Sequence, residues 1–381
     1  MRAYILVVIV LILFIVSLRR PYVGALTFLG FGILNPGSFA WGGADWMHSS
    51  QLLAGGTIFG LFMSSEPKRF PRQREVFLLL ALWAVFGFST LFAIYPEKAI
   101  DKFTGLSKIF FMLVVTMALI NSEDRLRLLL RVIGFSLGFF GLKCGVFFIA
   151  TGGQIMIWGP ENSFLEANNS IGLALAMNLP LLFYLEKVET QRWVRRLIWA
   201  MIVFSYPAVI GTFSRGAWLG LVAATGLILL RSQRKFITML AAGLVLAVAL
   251  PFAGYFASER IQERYDQLVD YEHEGSAQSR FWTWEFCRRV GMDNPLTGGG
   301  FDLYSGATYR QYYPEFIDWS GKIATCHGTV IQVFAEHGFP GFILWNCLII
   351  SSFLSLRVVR AYGVARGEPI KLVYLADTLQ S

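Results

Sequence analysis

Long apolar runs alternate with short polar connections along most of this chain. A helix needs about twenty apolar residues to cross the hydrocarbon core of a bilayer, and fewer where the bilayer is thin. The pattern therefore predicts an all-α polytopic membrane protein with about eleven membrane segments, and a longer form of the chain would have room for a twelfth. The runs lie at about residues 3–18, 21–35, 50–63, 76–94, 106–120, 132–150, 170–186, 197–213, 216–230, 236–257 and 340–356.

One long polar stretch, from Ser258 to His327, interrupts this pattern. It has no apolar run of membrane length and is far longer than a turn between neighbouring helices needs to be. Long loops of this kind commonly carry binding or chemistry. We therefore divide the chain into a bundle of about ten segments (1–257), a large loop over a candidate site (258–327), and a short helix, a last span and a tail (328–381).

The large loop is predicted to be partly helical. Helical patterns cover residues 259–272 and 279–291, and we expect the second helix to end at Gly291. The sequence NPLTGGG that follows predicts an irregular turn. A further short helix is predicted from His327 to His337, where the sequence GFPG interrupts it before the last span.

Positive charge is concentrated in alternate connections, and the positive-inside rule assigns such connections to the cytoplasm. The other short connections, at 36–49, 95–105 and 151–169, carry only two lysines in all. The alternation predicts that the large loop and the turn at 213–216 face outward, and that the N-terminus does so too. The basic residues assigned to the cytoplasm are Arg19, Arg20, Lys68, Arg69, Arg72, Arg74, Arg125, Arg127, Arg131, Lys187, Arg192, Arg195, Arg196, Arg231, Arg234, Lys235, Arg357, Arg360, Arg366 and Lys371.

Composition supports a membrane protein. The 381 residues are 55% hydrophobic and 15% charged, whereas about a quarter of the residues in soluble domains are charged. The net charge of +8 belongs largely to the cytoplasmic connections, so it does not indicate nucleic-acid binding. Arg19-Arg20-Pro21 follow the first apolar run where a signal peptide would have small residues, so we interpret that run as a membrane segment.

The four cysteines are Cys144, Cys287, Cys326 and Cys347, and their spacing matches no zinc site. Two of them, Cys287 and Cys326, lie in the large loop. They could form a disulfide if that loop faces an oxidising compartment.

Common catalytic and cofactor motifs are absent from the sequence. It contains no P-loop, no GxSxG and no HExxH. No paired acidic motif suggests a metal–diphosphate site, and Asp45 with His48 is only a weak metal-binding pair. We therefore expect no metal and no cofactor, and an anionic substrate would have to be held by arginines.

Arg215 is the first candidate for chemistry. It lies in GTFSRGAWLGL, between two apolar runs and on the predicted outer face. A charged residue among membrane helices costs at least about 2.5 kcal/mol at the helix centre, and it is by default a functional hypothesis. The alternative is an interfacial arginine that reaches lipid phosphate, but unpaired arginine is disfavoured on the outer side.

Arg280, in SAQSRFWTW, is the second candidate. A guanidinium fits phosphate oxygens, and the serine-rich helix start would add N–H donors. Residues 258–326 hold seven basic and eleven acidic side chains, so anion binding there would depend on geometry rather than on general charge. The alternative for Arg280 is a salt bridge to Glu285 or another acid of the loop. Arg288 and Arg289 are secondary candidates.

His327 lies where the large loop returns to the membrane. Histidine exchanges protons near neutral pH, which suits a general base. The alternative is a histidine at a helix start that bonds to the backbone. His337, next to Glu336, is a secondary candidate, because its place before GFPG suits a residue at a helix C-terminus.

The chain resembles the O-antigen ligase/polymerase superfamily of polytopic bacterial glycosyltransferases. Three motifs carry the resemblance: SRGAWLGL at 214–221, RFWTW with NPLTGGGF at 280–301, and HGTVIQVFAEHGFPG at 327–341. The N-terminal part, with RRPYVGAL and ILNPGSFAWG, is similar to the O-glycosylation ligases associated with exosortases. The superfamily usually has asparagine after the histidine, and here that position is Gly328.

The resemblance implies an inverting, metal-independent transfer at the periplasmic face of the bacterial inner membrane. A hydroxyl of a glycan, lipid or protein acceptor would attack the anomeric carbon of a glycan carried on undecaprenyl diphosphate. The resemblance assigns Arg215 and Arg280 to the diphosphate and His327 to the acceptor proton. Two arginines would stabilise the charge that develops on the leaving diphosphate.

Three alternatives stay open at this stage. A polysaccharide polymerase would use the same donor and differ only in its acceptor. A lipid or solute transporter would show repeat symmetry and midplane charges; the sequence has no visible repeat, although Lys108 and Lys143 lie in or beside apolar runs. A sensor would bind a ligand with its outer loop and transfer nothing.

Overall fold

All regular secondary structure in the part that the structure describes is helical. This computed structural model describes residues 2–39, 48–68, 70–231, 243, 275–315 and 323–365. Its α-helices are α1 (Arg2–Arg19), α2 (Pro21–Leu34), α3 (Ser49–Met63), α4 (Arg74–Leu91), α5 (Pro96–Leu119), α6 (Glu123–Ala150), α7 (Asn168–Val188), α8 (Arg192–Ile210), α9 (Arg215–Arg231), α10 (Gly275–Asp293), α11 (Gly306–Tyr312) and α12 (Thr329–Ala365), and a 3-10 turn lies at Pro36–Phe39.

The prediction of an all-α polytopic membrane protein is confirmed. Six helices, namely α4, α5, α6, α7, α8 and α12, are long and apolar enough to cross a bilayer, and α1, α2, α3 and α9 are shorter apolar helices. Ten of the eleven predicted runs thus correspond to helices. The eleventh, 236–257, falls outside the described residues apart from Gly243, as does the predicted helix at 259–272.

The chain folds into two compact units. The first comprises Met1–Arg69, Val115–Tyr265 and Leu356–Ser381, and the second comprises Phe70–Val114 and Asp266–Ser355. The described part of the large loop, with α10 and α11, therefore belongs to the same unit as α4 and much of α12. Each unit is treated by itself below.

Small residues let the helices of the first unit approach closely. In α6, a Cβ added at Gly145 would lie 2.0 Å from the Phe204 carbonyl oxygen of α8, and one at Gly141 would lie 2.2 Å from the Ser205 hydroxyl. Close backbone approach of this kind is how membrane helices gain packing energy without a hydrophobic driving force. The Asn178 amide of α7 also donates to the Gly134 carbonyl of α6 at 3.1 Å, so α6 contacts both α7 and α8.

The core of the second unit is built by α10, α11 and the start of α12. Its fully buried apolar members are Phe286, Cys287, Val290, Leu303, Tyr309, Cys326 and Ala335. The Phe286 and Tyr309 rings stack with their centroids 3.8 Å apart. This core fixes the polar segments that connect these helices.

The close contact at Gly145 generates a stability prediction. Gly145→Ala should lower the free energy of unfolding by about 1–3 kcal/mol, because the new methyl group must displace the α8 backbone. The thermal unfolding midpoint in detergent measures this. Gly226→Ala in α9 is the matched control, since nothing lies within 4 Å of the added Cβ and alanine favours helix. Equal midpoints for the two variants would contradict the close packing of α6 on α8.

Candidate active site

Helix α10 presents one buried face and one exposed face. Thr283, Phe286, Cys287 and Val290 are fully buried, and this spacing forms one stripe along a helix. On the other side, Arg280, Trp284 and Arg288 follow one another at intervals of four residues and are exposed, so they share a face. The helix runs to Asp293 rather than ending at the predicted Gly291.

Gly291 serves close packing instead of helix termination. A Cβ at Gly291 would lie 2.4 Å from the Phe334 ring of α12. The absence of a side chain lets α10 approach α12, and the helix continues for two more residues. The predicted helix is confirmed, but its predicted end at Gly291 is wrong. The helix ends two residues later, because the glycine serves packing and does not terminate it.

A disulfide joins Cys287 of α10 to Cys326, 39 residues further along the chain. The disulfide that the sequence allowed between these two cysteines is therefore present. Both cysteines are fully buried. Since Cys326 immediately precedes His327, the bond attaches the histidine-bearing segment directly to α10.

The segment from 323 to 328 has no regular secondary structure. Apart from the disulfide, it is held by the Tyr309 hydroxyl, which donates to the Ala324 carbonyl at 2.7 Å. Burial raises the pKa of Tyr309 to about 12, so its phenol keeps the proton that it donates. The Tyr304 hydroxyl also lies 3.1 Å from the Cys326 sulfur.

His327 itself is exposed and lies in the left-handed backbone region, with φ of 49°. Non-glycine residues rarely adopt this conformation, and it persists where the surroundings impose it. The imidazole forms no hydrogen bond or ion pair with another described residue. It is therefore free to meet a group from outside.

Trp284 places this segment beside Arg280. A Cβ added at Gly328 would lie 3.2 Å from Trp284 Nε1, so the His327-Gly328 backbone passes against the indole. Arg280 lies one helical turn before Trp284 on the same face. Arg280 is thus one helical turn from the Trp284 side chain, and His327 is next to the residue that packs on that side chain. Trp284 is not among the predicted site residues, although its spacing of four residues from Arg280 in the sequence indicates a shared helix face.

The secondary candidates Arg288 and Arg289 are already paired. Arg288 holds Glu285 through two hydrogen bonds of 2.8 and 2.9 Å, and Arg289 contacts both Glu285 and Glu315. Hydrogen bonds from Arg288, and then from Arg289, hold the pKa of Glu285 down to about 2. Arg280, by contrast, is exposed and forms no ion pair with any residue in the described part of the chain. It is the arginine of α10 that remains for an outside anion.

His337 lies in a closed polar cluster. Its side chain is 1% exposed, its Nδ1 is 2.5 Å from the Ser89 hydroxyl, and the Phe86 ring covers it at 4.1 Å between centroids. The adjacent Glu336 accepts hydrogen bonds from Tyr304 and Gln332 at 3.2 and 2.9 Å. This burial favours a structural role for His337 and supports ranking it behind His327.

The NPLTGGG turn supplies hydrogen-bond partners to the backbone at the break in α12. Helix α12 has a non-helical residue at Gly338, with φ of 63°, where the predicted GFPG interruption lies. The carbonyls of Ala335 and Glu336 accept from the N–H groups of Gly299 and Gly300, at 2.8 and 2.9 Å, and Phe339 N–H donates to the Pro295 carbonyl. The glycine N–H groups are thus used in packing, and they do not form a phosphate cradle.

Arg215 belongs to the first unit and is half-exposed at the start of α9. The turn before it is tight, with Phe213 at φ of 51°. The Asn168 amide donates to the Thr212 carbonyl at 2.9 Å, and the Trp218 indole donates to the Ile210 carbonyl at 3.1 Å. A guanidinium at a helix N-terminus lies where backbone N–H groups also favour an anion.

Of the weak metal pair, His48 is described and Asp45 lies outside the described residues. Within the described ranges, no group of three or more His, Cys, Asp or Glu side chains has the arrangement of a metal site.

Comparison with known families gives two matches. Residues 199–346 match the family described as O-Antigen ligase. Residues 1–190 match a family of unknown function. No curated protein shows significant similarity to the chain. The first match covers Arg215, Arg280 and His327 together with α10, the disulfide and the start of α12.

The closed cluster around His337 can be tested by removing its partner. Ser89→Ala should lower the free energy of unfolding by about 1–3 kcal/mol, because the buried imidazole nitrogen loses its hydrogen bond. Ser352→Ala is the control, since among the described residues its hydroxyl bonds only to the Leu348 carbonyl of its own helix. Chemical or thermal unfolding in detergent compares the two, and an unchanged midpoint for Ser89→Ala would show that the contact contributes nothing.

Proposed function

Because the chain belongs to the O-antigen ligase superfamily, we propose that it transfers a glycan from undecaprenyl diphosphate to an acceptor hydroxyl, with inversion at the anomeric carbon. Its general activity is that of a membrane glycan ligase or transferase. The observation that carries the finer proposal is the packing of Gly328, the residue after His327, on Trp284, which lies one helical turn after Arg280 on α10. A proton acceptor and an anion-binding group are thereby held on one element.

His327 is proposed as the general base. It takes the proton of the acceptor hydroxyl as the oxygen bonds to the anomeric carbon. The bond from that carbon to the phosphate oxygen breaks on the opposite side, and its electron pair leaves with the lipid diphosphate. The exposed imidazole supports this role, since a base must reach the proton that it removes.

Arg280 is proposed to bind the diphosphate. Its guanidinium carries a full positive charge that no described carboxylate neutralises, in contrast to Arg288 and Arg289. Charge develops on the diphosphate as the glycan leaves, and a preplaced cation stabilises it most in the transition state. Arg215 is proposed as a second phosphate-binding residue, on the strength of its place at the α9 N-terminus. No metal is needed in this scheme.

The disulfide supports a periplasmic location for the site. Structural disulfides persist in oxidising compartments and are rare in the cytosol. The large loop carries the bond between Cys287 and Cys326, and the positive-inside rule assigns this loop to the outer side. We therefore place the reaction at the periplasmic face of the inner membrane.

A polysaccharide polymerase is the second candidate, because it uses the same donor. The two activities separate by acceptor: a ligase transfers to a different lipid, glycan or protein, and a polymerase transfers to a second lipid-linked glycan. Supplying each acceptor class in turn to the purified protein distinguishes them. The transporter alternative predicts donor binding without transfer to any of these acceptors.

The proposed residues are tested by transfer assays in detergent with undecaprenyl-diphosphate-linked glycan. His327→Ala should lower kcat by about 100-fold or more, the usual contribution of a general base. Arg280→Ala and Arg215→Ala should lower kcat/KM by a comparable factor, because charge stabilisation is lost. His48→Ala and Arg310→Ala are matched controls, since each removes an exposed side chain of the same type, and both should keep wild-type rates.

Three outcomes would change the assignment. If His327→Ala keeps the wild-type rate, the base is another residue and His337 is the next candidate. If EDTA abolishes wild-type transfer, the metal-independent scheme is wrong. If the wild type binds the lipid donor but transfers to no acceptor, a transporter becomes the better explanation.

A further inference from the structure

We propose that the Cys287–Cys326 disulfide is a positioning element of the active site, which holds the His327 imidazole at the place on α10 where it meets the acceptor. This inference rests on the proposed function, because it takes His327 as the base. It assigns a role in turnover to two residues that touch neither donor nor acceptor.

The disulfide is a short covalent connection between His327 and the helix that carries Arg280. Cys326 is the residue next to His327, and Cys287 lies seven residues after Arg280, which is about two helical turns. The covalent path from the base to the anion-binding helix therefore crosses one disulfide. Both sulfurs are inside the core of the second unit, where their surroundings are fixed.

The segment that carries His327 has few other restraints on α10. Its other described tethers are the hydrogen bond from Tyr309 to Ala324, the contact of Tyr304 with the Cys326 sulfur, the packing of Gly328 on Trp284, and the hydrogen bond from Gln332 N–H to the Gly328 carbonyl, which binds the segment to α12 and not to α10. His327 is also in the left-handed backbone region, a conformation that surrounding structure must impose. Without the bond, we expect the segment to relax and the imidazole to shift.

The rest of the second unit has its own support. The Phe286 and Tyr309 rings stay stacked at 3.8 Å, and the glycine turn stays bonded to α12 through Gly299 and Gly300. None of these contacts needs the disulfide. Loss of the bond should therefore affect the rate of transfer more than the binding of the lipid donor.

Two double variants separate the disulfide from the other cysteines. Cys287→Ala/Cys326→Ala lacks the bond and keeps the free cysteines Cys144 and Cys347. Cys144→Ala/Cys347→Ala keeps only the bond. The first should lose about 10- to 100-fold in kcat, as expected for a small displacement of a catalytic group, with the donor KM within about twofold. The second should match the wild type.

Reduction gives the same comparison without changing a residue. A phosphine reductant and one water molecule convert the disulfide to two thiols; the water supplies the two thiol protons and the oxygen of the phosphine oxide. It should lower kcat of Cys144→Ala/Cys347→Ala to the level of the disulfide-free variant, and oxidised glutathione should restore it. The disulfide-free variant should not respond. Size-exclusion profiles and unfolding midpoints, measured on the same samples, report the folded fraction.

The decisive test combines the disulfide-free variant with His327→Ala. If the bond acts through His327, its removal should not lower the residual rate of His327→Ala any further, because the positioned group is already absent. Additive losses would mean that the bond only supports the fold, and would overturn the inference. An unchanged kcat without the bond would overturn it as well.

Failure of the proposed function gives a different result. In that case the wild type would transfer glycan to no acceptor, whatever the state of the disulfide. If only the base assignment fails, His327→Ala would turn over at the wild-type rate. An inactive His327→Ala together with a fully active disulfide-free variant would keep the proposed function and reject only the positioning role.

Discussion

The backbone groups freed by the break in α12 are the constraint on which the second unit depends. At Gly338 the helix cannot satisfy its own hydrogen bonds, and such groups need partners when they are away from water. The turn from Pro295 to Gly300 supplies them with two donors and one acceptor. The same turn follows α10 directly and accepts from Ile94 N–H through the Gly299 carbonyl at 2.9 Å. One set of backbone bonds thus fixes α10 relative to α12, and with them the ends of the segment that carries His327.

The positive φ angles of two glycines in this turn follow from this geometry. Gly298 and Gly300 have φ of 63° and 79°, and a Cβ at Gly298 would lie 2.3 Å from the Glu336 carbonyl carbon. Only glycine tolerates both the conformation and the close approach. Three successive glycines in such a sequence invite interpretation as a phosphate-binding loop, but here the donors point into the protein. We propose the guanidinium of Arg280 as the anion-binding group of this unit instead.

Much of the fold could be predicted from the sequence, because a bilayer imposes one length scale on every span. The alternation of apolar runs and basic connections predicted ten helices that the structure describes, and the glycine- and proline-rich stretches marked the turn and the break. The arrangement of the site could not be predicted in the same way. The contact of Gly328 with Trp284 and the burial of His337 against Ser89 join residues far apart in the chain, and no local pattern encodes them. From the sequence, the disulfide was only a chemical possibility, because the pairing depends on the contact between α10 and the 323–328 segment.

Charge pairing on α10 explains why Arg280, unlike the other two arginines of this helix, has no carboxylate partner among the described residues. Glu285 lies three and four residues before Arg288 and Arg289, so helix geometry brings all three side chains together, and both arginines donate hydrogen bonds to the Glu285 carboxylate. Arg280 precedes Glu285 by five residues, so the two residues lie on different sides of the helix. The same face as Arg280 carries Trp284. A Cβ at Gly328 would lie 3.2 Å from Trp284 Nε1, so the absence of a side chain at 328 lets the His327 segment pack closely on the helix that bears Arg280.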